Sequence, residues 1–171
     1  GISANAITYS CGLKACRSIL ALDEEGREIH GEILKKGFEC EMCIGNSLVD
    51  LYAKYGYLDE AKVVFNKLPS TDVVSWTTLI SGYVEQYHNE EALKCFEMMQ
   101  LEGFSPDTVT FICCMKACSN MRDIDKGREI QTDTAKQGSI ATHVTIGKTL
   151  VDRHVWGSVA NLPESKRCLI S

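Results

Sequence analysis

The chain has 171 residues, 44% of them hydrophobic and 24% charged, with only 3 prolines. That apolar share is enough to offset the entropy of ordering, which excludes an intrinsically disordered chain, and no apolar run nears the roughly 18 residues of a membrane-spanning helix. A net charge of −5 gives no global signal for nucleic acid or acidic membranes, and nine cysteines, an odd number without a secretory apolar region, read as free thiols in a reducing compartment. The chain opens on Gly1 rather than Met and has no clean final cap, so a piece of a longer protein is expected, with any targeting peptide out of view.

The dominant signal is an internal repeat. Lys14-Ala15-Cys16 returns as Lys116-Ala117-Cys118 and Ile44-Gly45-Asn46-Ser47-Leu48-Val49-Asp50 as Ile146-Gly147-Lys148-Thr149-Leu150-Val151-Asp152, both displaced by 102, while Gly26-Arg27-Glu28-Ile29 returns as Gly127-Arg128-Glu129-Ile130 at 101. A shorter period of 31 lies inside, carrying Leu48, Tyr52, Ala61 and Phe65 onto Leu79, Tyr83, Ala92 and Phe96. The expected units are 6–41, 42–72, 73–107 and 108–143, with a partial or divergent unit over 144–171. From Val155 the pattern fails, and Pro163 falls where a second helix should run.

Each unit reads as two short helices. Over 43–55, Ile44, Leu48, Leu51 and Tyr52 fall on one helical face; over 58–68, Leu58, Ala61, Phe65 and Leu68 do the same, with Asp59 and Glu60 in the first turn and Lys67 in the last. The next unit repeats this plan with the stripe Trp76, Leu79, Ile80 and Tyr83. Asn89 then caps a helix carrying Ala92, Phe96 and Met99, and Pro69 and Pro106 stop their helices. A helix pair of about 35 residues cannot bury its stripe alone, so neighbours must stack. The expected fold is all-α: a right-handed superhelical solenoid of helix-turn-helix repeats.

These residues resemble pentatricopeptide repeats, specifically the plant subclass in which long, short and ordinary repeats alternate (the PLS subclass). Asp72-Val73-Val74-Ser75-Trp76, Leu79-Ile80-Ser81-Gly82-Tyr83, Glu91-Ala92 and Gly103-Phe104-Ser105-Pro106-Asp107 resemble its ordinary repeat. Asn46-Ser47-Leu48-Val49-Asp50-Leu51-Tyr52-Ala53-Lys54 with Leu68-Pro69 resembles the short one, and Lys14-Ala15-Cys16 with Gly26-Arg27-Glu28-Ile29-His30 the long one. The resemblance covers about 6–143. It implies sequence-specific binding of single-stranded organellar RNA, in a mitochondrion or chloroplast, for C-to-U editing or other RNA processing, with editing-complex proteins as further candidate partners. It implies no catalytic residue, cofactor, metal, membrane or small-molecule substrate.

It also implies which residues touch RNA. The fifth residue of each repeat, with the last, reads one base: Asn46 with Asp72 for uracil, Thr77 with Asp107 for guanine, and Ser10 with Glu41 for an unassigned base. Asn46 and Thr77 both lie off the apolar stripes of their helices. A carboxamide both donates and accepts, which suits a pyrimidine edge, and the shorter threonine leaves room for a purine. The second residues, Cys43, Val74 and Val109, would clamp the bases from either side. Ile112, with no hydrogen-bonding group, would space rather than read.

First helices carry Lys14, Arg17, Lys54, Lys116, Lys148 and Arg153 against Asp50, Glu85 and Asp152, so the groove is expected to be mildly positive and a longer array to be needed for affinity. His30-Gly31-Glu32 and Cys40-Glu41-Met42-Cys43 imitate a zinc-deaminase signature. Only seven residues separate Glu32 from Cys40, too few for the intervening strand, and Cys40 with Cys43 has no second ligand pair nearby. Cys16 and Cys118 read as small packing residues, and Cys113-Cys114 as part of an apolar helix. The competing class is a tetratricopeptide-like, peptide-binding scaffold, whose spacing Trp76, Leu79, Tyr83, Ala92 and Phe96 also match.

Overall fold

A computed structural model describes residues 5–19, 26–38 and 41–136, which form eight helices and, among the described residues, no strand. They are α1 (Ala6–Ile19), α2 (Arg27–Lys36), α3 (Met42–Lys54), α4 (Leu58–Asn66), α5 (Val73–Glu85), α6 (Asn89–Leu101), α7 (Thr108–Met121) and α8 (Ile124–Lys136). The unit expected over 144–171, the end of the one before it, Lys148, Arg153 and Cys40 lie outside the described residues.

Each odd-numbered helix pairs with the even-numbered helix that follows it, and the odd-numbered helices also touch one another in sequence, α1 on α3, α3 on α5 and α5 on α7. The first helices therefore form a continuous inner layer, and the fold is an all-α helical-repeat solenoid. The stripes read from the sequence supply its core: Ile44, Leu48, Leu51, Trp76, Leu79 and Ile80 are all buried. Cys16, Cys114 and Cys118 are buried and Cys113 half-buried. Aromatic contacts recur where one repeat's second helix meets the next repeat's first. Phe65 meets Trp76 edge-on with centroids 4.8 Å apart, and Phe96 meets Phe111 at 6.0 Å.

Close approach within the inner layer is set by Gly82. A Cβ built there would lie 2.3 Å from the Cβ of Ala53, so α3 and α5 can meet at this point only because no side chain intervenes. Two polar ties hold the layer in register. Tyr55 Oη donates to the Cys16 carbonyl at 2.8 Å, and Gln86 Nε2 donates to the Ala53 and Lys54 carbonyls at 3.0 and 2.8 Å, satisfying acceptors at the open end of α3.

Three local expectations need correction. Asn89 is the first residue of α6, and His88 occupies the N-cap without a side-chain bond; Asn89 instead donates to the Tyr87 carbonyl at 3.1 Å and accepts from Asn120 Nδ2 at 3.0 Å. Pro106 does not stop α6, which has already closed at Leu101. Gly103, at φ 85°, directs its own N–H to Gln100 and that of Phe104 back to Met99, a Schellman closure. Likewise α4 ends at Asn66, ahead of Pro69, with Lys67 at its C-cap.

Candidate nucleic-acid interface

The second residues of three successive first helices share one environment. Val74 is 59% exposed and Val109 54%, and Cys43 is exposed as well. Each stands in the first turn of its helix, α3, α5 or α7. An apolar side chain so placed gains little from folding, and the exposed position recurs in step with the repeat.

The final residues of the repeats do structural work. Asp72 and Asp107 are the N-caps of α5 and α7, and each closes a capping box. Asp72 Oδ1 accepts from Ser75 N at 2.8 Å and from Ser75 Oγ at 2.9 Å; Asp107 Oδ1 accepts from the N and Oγ1 of Thr110, both at 2.8 Å. Two orphan N–H groups are met at each helix start, because the Asp72 and Asp107 amides donate in turn to Ser75 Oγ and Thr110 Oγ1. Glu41 is the N-cap of α3 but makes no side-chain cap bond. Ser75 and Thr110 are capping positions that the repeat pattern does not point to, although Asp72-Val73-Val74-Ser75 and Asp107-Thr108-Val109-Thr110 have capping-box spacing.

The fifth residues are less open than their position off the apolar stripe suggests. Thr77 is 9% exposed, with Oγ1 2.6 Å from Thr110 Oγ1; Ser10 is 8% exposed, with Oγ 3.0 Å from Ser47 Oγ. The reason is the inner layer itself: the face that a first helix turns away from its own core stripe meets the next first helix. Asn46 is half-buried, and its Oδ1 is buried with no hydrogen-bond partner among the described residues. Leaving a buried acceptor unmet costs about 1–3 kcal/mol. Ile112 is half-buried.

Thr77 and Asp107, near opposite ends of one repeat in sequence, are thus joined through Thr110. Ser10 and Glu41 show no such link among the described residues. Lys54 and Lys116 are exposed toward the C-terminal ends of α3 and α7, and Glu85 is exposed at that of α5. The deaminase-like residues are otherwise engaged: His30 Nδ1 lies 2.5 Å from Tyr52 Oη, and Tyr9 Oη donates to Glu32 at 3.0 Å. Burial pushes the Cys95 and Cys118 thiols up to about 11 and raises those of Cys113 and Cys114, so these side chains stay protonated packing groups.

This architecture can be set beside known proteins. The PPR repeat family matches residues 71–120, and the single PPR repeat matches 46–72. The chain is 42% identical over 127 residues to pentatricopeptide repeat-containing protein At2g33680 of Arabidopsis thaliana. It belongs to the pentatricopeptide repeat family. It is also 41% identical over 120 residues to the chloroplastic pentatricopeptide repeat-containing protein DOT4 of the same plant. These matches take in 74% and 70% of this chain but only 17% and 14% of the relatives, so the chain spans less than a fifth of the length of either. Among solved structures, the pentatricopeptide repeat protein PPR10 from maize superposes with a TM-score of 0.74 at 21% identity, covering 99% of this chain and 25% of PPR10. PPR10 in complex with an 18-nt psaJ RNA element gives 0.75 at 20% identity, covering 99% and 26%. At such identities these structures bear on the fold of the pentatricopeptide repeats here.

Proposed function

We propose that this segment is a non-enzymatic RNA-reading surface, part of an organellar protein of the PLS subclass, whose units 6–41, 42–72, 73–107 and 108–143 select a site in a single-stranded transcript. The carrying observation is the row of exposed apolar residues Cys43, Val74 and Val109, recurring once per repeat on adjoining helices. A base can slide between such residues whatever its identity, since every base has an apolar face. Identity is then read beside them by Asn46 with Asp72 for uracil, by Thr77 with Asp107 for guanine, and by Ser10 with Glu41. The Asn46 Oδ1 is buried without a partner among the described residues, so a base N–H reaches it only once the carboxamide turns outward. The covered state of Thr77 means that a base meets only its residual exposed edge.

Relatives named chloroplastic and mitochondrial support an organellar setting. The role is site recognition for C-to-U editing or another processing step, with the chemistry supplied by another domain or by editing-complex proteins. The test is binding of the intact protein to a randomised single-stranded RNA pool and to a peptide array. Selective retention of RNA is the expected result; retention of peptide alone supports the tetratricopeptide-like scaffold instead. Replacing Val74 and Val109 together by Asp should weaken binding to every sequence alike, since clamping is indifferent to base identity.

A further inference from the structure

The hydroxyl contacts at the junction before α7 have a direction that can be worked out. Thr110 Oγ1 has one proton and two lone pairs. Its proton goes to the carboxylate, because Asp107 Oδ1, 2.8 Å away, accepts only. One lone pair accepts from the Asp107 N–H at 3.3 Å. Thr77 Oγ1, 2.6 Å away, can therefore only donate to the remaining lone pair; the reverse assignment leaves two oxygens facing each other at 2.8 Å with no proton between. With its proton committed, Thr77 offers incoming groups nothing but lone pairs. Asp107 has acceptor capacity beyond its two cap bonds, since a carboxylate has about four lone-pair sites.

We propose that Thr110, which is wholly buried, is the positioning residue that fixes the direction of the Thr77 hydroxyl and so makes Thr77 with Asp107 an acceptor-only pair. Guanine is the base with two adjacent donors, N1–H and the N2 amino group, on its pairing edge; uracil flanks its one donor with acceptors, and adenine sets its amino group beside an acceptor. An acceptor-only pair therefore selects guanine, and Thr110 confers the selection without touching RNA. The same polarity recurs at the first junction. There Ser47 Oγ donates to the Cys43 carbonyl at 2.7 Å, which obliges Ser10 Oγ to donate to Ser47. This proposal rests on the RNA-reading role given above.

The experiment uses the intact protein and a randomised single-stranded RNA pool. Thr77→Asn first marks, by its altered preference, the nucleotide that this repeat faces. At that nucleotide Thr110→Val, which keeps the shape but removes the relay, should lower the preference for guanine over adenine by about tenfold, the equivalent of one directed hydrogen bond. Thr110→Ser should restore it. Ser75→Ala removes a capping box of the same kind and should leave this nucleotide unchanged, which separates the relay from loss of a cap. Wild-type protein provides a test that does not depend on any variant folding: inosine at the marked position, lacking the N2 amino group, should bind about tenfold more weakly than guanosine. Inosine bound as tightly as guanosine, or an unchanged guanine preference in Thr110→Val, overturns the relay while leaving RNA reading intact. Failure of the wild-type protein to select any RNA overturns both.

Discussion

At the junction before α7, Asp107 closes a capping box with Thr110 and reaches Thr77 through it; at the junction before α3, Glu41 makes no side-chain cap, and the Ser10–Ser47 pair is anchored on a main-chain carbonyl. Both junctions end with a fifth-position hydroxyl directed away from solvent. They differ in what the last residue of the repeat contributes. An aspartate is short enough to turn back on the third amide of the helix it precedes, so one side chain starts that helix and, on the reading proposed above, also belongs to the reading pair. Glutamate has an additional methylene and makes no such side-chain bond; the third amide of α3, that of Ile44, donates instead to the Glu41 carbonyl at 2.9 Å. On the reading proposed above, the junction before α7 therefore couples folding to base recognition, whereas the junction before α3 keeps the two apart.

The largest expected effect concerns what both junctions depend on, the close inner layer. Gly82→Val should destabilise the protein by about 3 kcal/mol, since the added carbons collide with Ala53, and Ala53→Gly should recover part of that loss, as measured by denaturant unfolding. Next comes the coupling itself. Asp107→Ala should cost about 1 kcal/mol and abolish guanine preference, whereas Asp107→Asn, still a good N-cap, should keep the stability and change the preference. An unchanged guanine preference in both variants would uncouple base reading from the carboxylate.

A third prediction concerns the turn inside the ordinary repeat. Tyr87 is 78% exposed and holds φ 62°, at the same place after its helix as Gly56 with φ 82°. Tyr87→Gly should raise stability by about 1 kcal/mol in the same unfolding measurement, because the left-handed conformation penalises a Cβ. The smallest effect belongs to the uncapped junction. Glu41→Asp should stabilise by roughly 0.5 kcal/mol if its carboxylate adds a side-chain cap to the start of α3. No gain would show that the backbone before α3, rather than side-chain length, prevents the cap.

The stack was legible in the sequence because its core obeys short-range periodicity: Ile44, Leu48 and Tyr52 on one helix, and Trp76, Ile80 and Tyr83 on the next, are buried as their spacing requires. Helix ends were less so. Asn89 looks like a cap and Pro106 like a stop, but the Schellman closures at Tyr87 and Gly103 had already set the boundaries, and a tyrosine carries no local signal for that role. The covering of Thr77 could not be read from its own helix, since it arises from a residue 33 positions away across the inner layer. Its only local trace was the Asp-x-x-Thr spacing at Asp107 and Thr110, which signals a helix start and gives no hint of the hydroxyl it would hold.

The central claim is that each repeat contributes one polar pair to one nucleotide. It is tested most directly by comparing the RNA sequences selected from a randomised pool by the intact protein and by its Thr77→Asn variant. The expected outcome is a change at a single nucleotide, from guanine to uracil, with neighbouring positions undisturbed, because an asparagine facing Asp107 would duplicate the Asn46 and Asp72 pair. The same preference at every nucleotide, or a change spread across the whole site, would contradict it.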